Sequence, residues 1–561
     1  LMTTVHAITN EQKNIDLLLF GSVRNAGDYK RPDNSKILFS KNNQKTGLIK
    51  VNWQILPEHL LTLSSVYGIH KGWEPFAAKR DILPKPSSSD IMRYGTDIAW
   101  KRKLVYRDQK DENYTLKYNY LPENNPWINL STQFSYSKTT QNDMRPKEAS
   151  SGLVGSLGNQ SWITYSDLTF DINNTSTFNI KTTVHELLFG LQWLKNTRNT
   201  LMYHKGKMKD KTYNYGYFQP YYMPSGRQYT QAFYLQDQIK WKNIIFSTGV
   251  RYDHINNIGQ KNLAPQYNDI SVGHNYSQKN YNGWSYYLGL NYDINHYLSL
   301  FTNFSRTWRA PVIDEQYETQ YKQSSGPVTA TSLNLEKEMI NQTRVGGIIT
   351  LNHLFQENDA FQFRTTYFYN RGKNEIFKTR GVNCVGNAAD TKYVCPKPIG
   401  NYRNLPGYVI QGAELEAYYQ STYLFGELTY SYVKGKRDTS PRNPWGKTST
   451  WIAEIPPRKA TATLGFNVPK YYLTVGWRAE FVRRQDRSPL SGDPEAKSWS
   501  LPASRGYSLH NLFLSWSPAK IKGMNVKITV DNLFNRAYNP YLGELASGTG
   551  RNIKFSLSQK F

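Results

Sequence analysis

Runs of alternating apolar and polar residues recur along this chain, and the connections between them are by turns short and long. This double rhythm limits the folds open to it more than any other feature. Ile244, Phe246, Thr248, Val250 and Tyr252 form one such run, Tyr286, Leu288, Leu290 and Tyr292 another, and Leu473, Val475, Trp477, Ala479 and Phe481 a third. At the C-terminus Ile553, Phe555, Leu557 and Phe561 share one face, with Asn552, Lys554, Ser556, Ser558 and Lys560 on the other. A period of two is the mark of a strand whose faces meet different surroundings. Short polar turns near 56–58, 123–126, 242–243, 295–297, 469–470 and 520–523 take turns with long segments near 73–95, 141–160, 197–228, 257–282, 311–332, 380–400, 436–449 and 487–505. Short turns on one rim and long loops on the other are the layout of a barrel that crosses an outer membrane.

Composition agrees once the question is posed this way. Only 39% of residues are hydrophobic, yet aromatic residues make up 14%, including 42 Tyr and 14 Trp. Rings with one apolar and one polar end suit a wall that meets both lipid and water. No run approaches the ~18 uncharged apolar residues of a membrane helix, which excludes a helical transporter. The reading is all-β: a transmembrane antiparallel β-barrel of about 20–22 strands, too wide for its own side chains to fill.

The net charge of +26 does not come from a clustered basic patch. Nucleic-acid binding is therefore not expected, and basic loops with a basic lumen would instead attract anionic ligands or lipopolysaccharide phosphates. Cys384 and Cys395 are the two cysteines, without CxxC spacing or a nearby His. A single disulfide formed in an oxidising compartment fits them better than a metal site. No Ser-His-Asp set, phosphate-binding Gly loop or HExxH motif is present, so no enzyme activity is expected. The N-terminus has no basic segment followed by an apolar one and no cleavage site, so any signal peptide is expected to lie outside this chain.

Three sets of residues carry a family resemblance. Phe233–Gln238 followed by Gly249–Asp253, the ending Asp531–Arg536 with Tyr538, and Gly548–Arg551 before the last strand resemble the barrel of TonB-dependent outer-membrane receptors. Leu1–Val5 is similar to the last strand of that family's plug. This gives 1–10 as the end of a plug otherwise absent, together with its coupling box, and 11–561 as the barrel. The family's barrels have about 22 strands, so the first hairpin is expected to be missing.

Within the family, Arg306–Glu315, with Arg309, Ala310 and Pro311 at its heart, looks like the first box of haem and haemoprotein receptors. Ser332–Glu338, with Asn334, Leu335 and Glu338, is similar to the second box. The resemblance implies a Gram-negative outer-membrane receptor that takes up haem, free or from a haemoprotein, with energy from the TonB-ExbB-ExbD system. A ferric-siderophore receptor of the same fold and a passive porin or adhesin are the alternatives. Haem is then a transported ligand rather than a catalytic cofactor, and the only metal implied is its iron.

Such receptors place a haem-binding histidine between the boxes, and residues 312–331 contain none. Axial ligation is thus expected from Tyr317 or Tyr321, or from His204 or His274 in neighbouring loops, because imidazole and tyrosinate both bind haem iron. His70 and His254 are also expected near extracellular ends, His59, His296 and His353 at short turns, and His185 and His510 within strands. Tyr213, Tyr215, Tyr217, Phe218, Tyr221, Tyr222 and Met223 follow His204, and could stack on a porphyrin or grip a protein. Asp314, Glu315 and Glu318 read as charged loop residues rather than paired catalytic carboxylates.

Overall fold

The computed structural model describes residues 2–10, 14–75, 86–149, 154, 158–319, 329–378, 399–441, 449–489, 503–541 and 547–560. Among these, 23 strands join one sheet, and all of its pairings are antiparallel between neighbours in the chain. Two of them, Tyr217–Phe218 and Thr450–Trp451, are only two residues long. The remaining 21 form the wall.

Exposure follows the two-residue period. Phe189 and Leu191 are 49% and 47% exposed on one face of the Thr183–Tyr203 strand, while Thr200 and Arg198 on the other are nearly covered. The outward rows are apolar and aromatic, as lipid requires, and the inward rows carry the charges. Inside, Arg107 grips Asp143 through two contacts of 3.0 Å and reaches Glu74 at 3.1 Å. Arg251 likewise holds Asp253 and Gln192.

Close turns link strands on one rim. Asn243 and Lys242 join Gly226–Trp241 to Ile244–Gly259, with Lys242 in the left-handed region at φ 49°. On the opposite rim the strands run on well past the ~9–11 residues that a membrane needs. The hairpin Gln160–Ile180 and Thr183–Tyr203 has two strands of 21 residues.

One expectation is corrected at the N-terminus. Met2–Thr9 pairs with Asp16–Val23 over eight consecutive positions. It is therefore a strand of the wall, not the end of a plug. The turn that makes the hairpin possible is closed by Asn10, whose side-chain oxygen accepts from the amides of Asn14 and Ile15 at 3.0 Å each. The backbone amide of Asn10 also donates to the Ile15 carbonyl at 3.1 Å, so one asparagine ties the two strands by side chain and main chain together. Among the described residues no pairing joins Asn552–Gln559 to Met2–Thr9.

Candidate functional site: a lid in the extracellular mouth

Leu298–Arg309 ends in the first box, and Pro311 stops the strand because it cannot donate to the ladder. The chain then turns inward into the helix Ile313–Tyr317. Asp314 and Glu315 lie in its first turn, where the helix dipole favours negative charge. Arg309 clamps the start: it holds Glu315 at 2.7 and 3.1 Å and Glu338 of the second box at 3.0 Å. Asp314 makes an ion pair with Arg198. The two boxes thus meet through one guanidinium.

The helix sits against inward-facing backbone. A Cβ on Gly226 would come within 2.9 Å of Ile313, and one on Gly259 within 2.7 Å of the Tyr317 ring. Only glycine leaves room for the helix at these two positions. Asn257, fully buried, donates to the carbonyl oxygen of Pro311 at 2.7 Å and to the Gln316 side chain at 3.0 Å. Gln316 donates to the Tyr281 hydroxyl at 2.9 Å, and that hydroxyl donates to the Leu335 carbonyl at 3.0 Å. Glu318 ends the segment, held by Lys378 at 2.7 and 2.8 Å.

The loop after Met202 and the loop after Gly259 pack on the same rim. Met202, Phe218, Ala264 and Tyr267 form a buried cluster with Tyr213 and Tyr221 against it. Gln219 accepts from Asn262 and Leu263, and the amide of Thr319 donates to the Tyr221 carbonyl at 2.9 Å. Three stretches of the described residues, 204–225, 260–278 and 311–319 with 329–335, therefore make one lid. Beneath it a cavity of about 350 Å³ is lined by Asp167, Asn196, Gln228, Val312 and Ile313.

The structure treats the expected ligands unequally. Tyr317 is fully buried, and its hydroxyl donates to the carbonyls of Asn257 at 3.0 Å and Ser277 at 2.8 Å. Burial raises its pKa and keeps the phenol protonated, so its role here is to pin the lid rather than to offer an oxygen. His274 is buried at 2% exposure beside Thr331.

His204 stands at the mouth of its loop, half-buried. Among the described residues no side-chain hydrogen bond engages its ring, and Nδ1 is buried without a partner among them. Burial lowers its pKa below the usual 6.5, with Lys207 adding to the effect, so the ring is neutral. The rings of Tyr203 and Tyr217, which flank it in the strand pair, lie 4.7 Å apart, and Lys207 covers Tyr213 at 4.1 Å. Tyr321, Cys384 and Cys395 lie outside the described residues. Of the box residues, Arg309, Pro311, Leu335 and Glu338 enter the lid network directly. Ala310 is buried, and Asn334 does not join the network. Asn257, Gln316 and Tyr281, which tie the boxes together, carry no sequence signal: they are single polar residues in ordinary strand or loop contexts.

Fold and lid together define a TonB-dependent receptor. The chain belongs to that family, whose β-barrel model matches residues 52–533. It is 94% identical over 560 residues to the TonB-dependent heme receptor A of Haemophilus influenzae, covering all of this chain and 75% of that protein. The receptor of the same name from Haemophilus ducreyi is 58% identical, over 98% of this chain and 75% of its own length. Among solved structures, a Serratia marcescens hemophore receptor, HasR, in complex with its hemophore HasA and heme superposes with a TM-score of 0.71 at 18% identity, covering 100% of this chain and 78% of that one. The Neisseria meningitidis FrpB iron transporter reaches 0.72 at 16%, over 100% and 80%. These two likenesses show the fold.

Proposed function

We propose that this protein is a haem receptor of a Gram-negative outer membrane, capturing haem at the lid and passing it through the barrel with energy from TonB-ExbB-ExbD acting through the family's plug. The observation that carries the reading is the 94% identity, over the whole chain, to a protein named for haem reception. Haem arrives free or from a haemoprotein, whose docking would fall on the aromatic loops 204–225 and 260–278. Lipopolysaccharide is a second partner, as the lipid around the outer rim.

Within the site, His204 supplies the axial ligand. It is neutral, its ring is not engaged by any of the described residues, and aromatic rings lie beside it for stacking. Lys205, Lys207, Lys209 and Lys211 are placed to pair with the propionates, as ammonium groups do with carboxylates. Ferric haem titrated into the full-length receptor in detergent should give a saturable Soret shift of imidazole type. A ferric catecholate that binds while haem does not would move the receptor to siderophores.

A further inference from the structure

We propose that Arg198 and Lys378 are the pair that receives the two haem propionates inside the barrel, and that the lid helix holds their place with a carboxylate pair of its own. The inference rests on the haem reading above and adds a second, deeper station to it. Asp314 and Glu318 lie one helical turn apart, the Glu318 amide donating to the Asp314 carbonyl at 3.1 Å. Residues four apart share a side of a helix, about 6 Å from each other. Each carboxylate meets a cation of the wall: Asp314 pairs with Arg198, and Glu318 with Lys378 at 2.7 and 2.8 Å. The two propionates leave one edge of the porphyrin side by side. They bring the same two charges to the same two cations.

The cations come from separate parts of the wall, Arg198 from Thr183–Tyr203 and Lys378 from the end of Ala360–Lys378. Tyr402 lies between them, its ring 5.6 Å from the Lys378 Nζ and close enough to Arg198 to act on its charge. Arg198 is 6% exposed, its guanidinium lies 4.7 Å from the centre of the Tyr165 ring, and its Nε is buried with no hydrogen-bond partner among the described residues. Asp314 is the only carboxylate that pairs with it among those residues. Other guanidinium groups of the lumen take their anions from the wall itself: Arg107 from Asp143, Arg251 from Asp253 and Arg437 from Glu375. Arg198 takes its anion from the lid.

A buried cation is costly to leave without its partner, so the helix stays until another anion arrives. The exchange is balanced, because two carboxylates leave as two enter and no proton moves. Space lies next to the pair: the cavity of about 350 Å³ is lined by Asn196, two residues deeper than Arg198 on the same face, and by Val312 and Ile313 of the lid. Lifting the helix enlarges that cavity. Tyr203, beside His204, lies five residues further out on the same strand as Arg198, about 17 Å away. A ligand first held at His204 therefore reaches Arg198 by moving inward along one strand.

The test follows the full-length receptor in detergent with ferric haem and with its dimethyl ester, in which both propionates are capped and the iron is unchanged. The Soret band reports iron ligation, and hydrogen–deuterium exchange of the amides of Gln316, Glu318 and Thr319, all bonded within the lid, reports the helix. Both porphyrins should shift the Soret band, and only the free acid should speed exchange, by tenfold or more. Asp314→Asn and Glu318→Gln remove the competing charge, so each should raise haem affinity roughly tenfold and leave ester affinity unchanged. Arg198→Gln and Lys378→Gln should remove the haem-dependent increase in exchange. Heat-dependent gel mobility shows that each variant is folded. Equal opening by the ester, or no gain in haem affinity when Asp314 or Glu318 loses its charge, would overturn the assignment. Absence of a Soret shift with either porphyrin would sink the haem reading itself, and this inference with it.

Discussion

The helix Ile313–Tyr317 and the loop that opens with His204 were equal candidates for holding haem, and the fold uses them in opposite ways. In the helix nearly every polar atom is committed: Tyr317 to two carbonyls, Gln316 to Asn257 and Tyr281, Glu315 to Arg309. At His204 the backbone is committed, its amide donating to Gly216 at 2.8 Å, and the ring is not. Both segments carry tyrosine, so the presence of a candidate aromatic ligand does not separate them. What separates them is whether the donor atoms are already bound within the protein.

The sharpest way to break this contrast is through Arg309. Its removal leaves Glu315 and Glu338 facing each other, and Arg309→Ala should destabilise the lid by about 2–3 kcal/mol once solvent screening of its 41% exposed side chain is allowed for. Limited proteolysis between 311 and 335 should then accelerate markedly, and an unchanged rate would show that the two boxes do not depend on this residue. Breaking the proposed disulfide between Cys384 and Cys395 should cost about as much, roughly 3 kcal/mol on a chain-entropy basis. Thiol titration of the unreduced, unfolded protein should find no free cysteine, and two titratable thiols would end that proposal.

A finer comparison sets Tyr317→Phe beside His204→Ala. The first should lower stability by about 1–2 kcal/mol through two stranded carbonyls and leave the haem spectrum unchanged. The second should leave stability nearly unchanged and abolish the imidazole-type Soret shift. The reverse pattern would return ligation to the tyrosine.

The smallest effect is on pH. Because the folded pKa of His204 is depressed, its neutral form persists below the ordinary value of 6.5. Stability and ligation that depend on neutral His204 are present above 6.5 and are lost as pH falls through the lowered folded pKa. Haem affinity should therefore stay level from pH 8 to 6.5 and decline only at lower pH. Half-loss at or above 6.5 would show that the ring is not shielded as described.

Much of the wall was legible in the sequence because each strand states its own faces. A residue such as Leu288 or Phe555 needs only its neighbours two positions away to reveal its side. The boxes were legible as strings, and Arg309 and Glu338 do meet. Legibility failed where one distant contact decides the outcome. Nothing near Tyr317 in the chain announces that Gly259 leaves space for its ring, or that the carbonyls of Asn257 and Ser277 will accept its hydrogen bonds. Met2–Thr9 was misassigned for a related reason: a strand of eight residues was read by its likeness to another domain, while its place was decided by its ladder with Asp16–Val23.

The long hairpin Gln160–Tyr203 has a consequence that is a matter of reach. Its strands have 21 residues each, about ten more than hydrocarbon requires. At about 3.3 Å per residue and a tilt near 40°, those ten carry the rim roughly 25 Å beyond the lipid. The wall is thus a chimney as well as a channel, and His204, at its top, stands where a bulky carrier can arrive without having to touch the membrane at all.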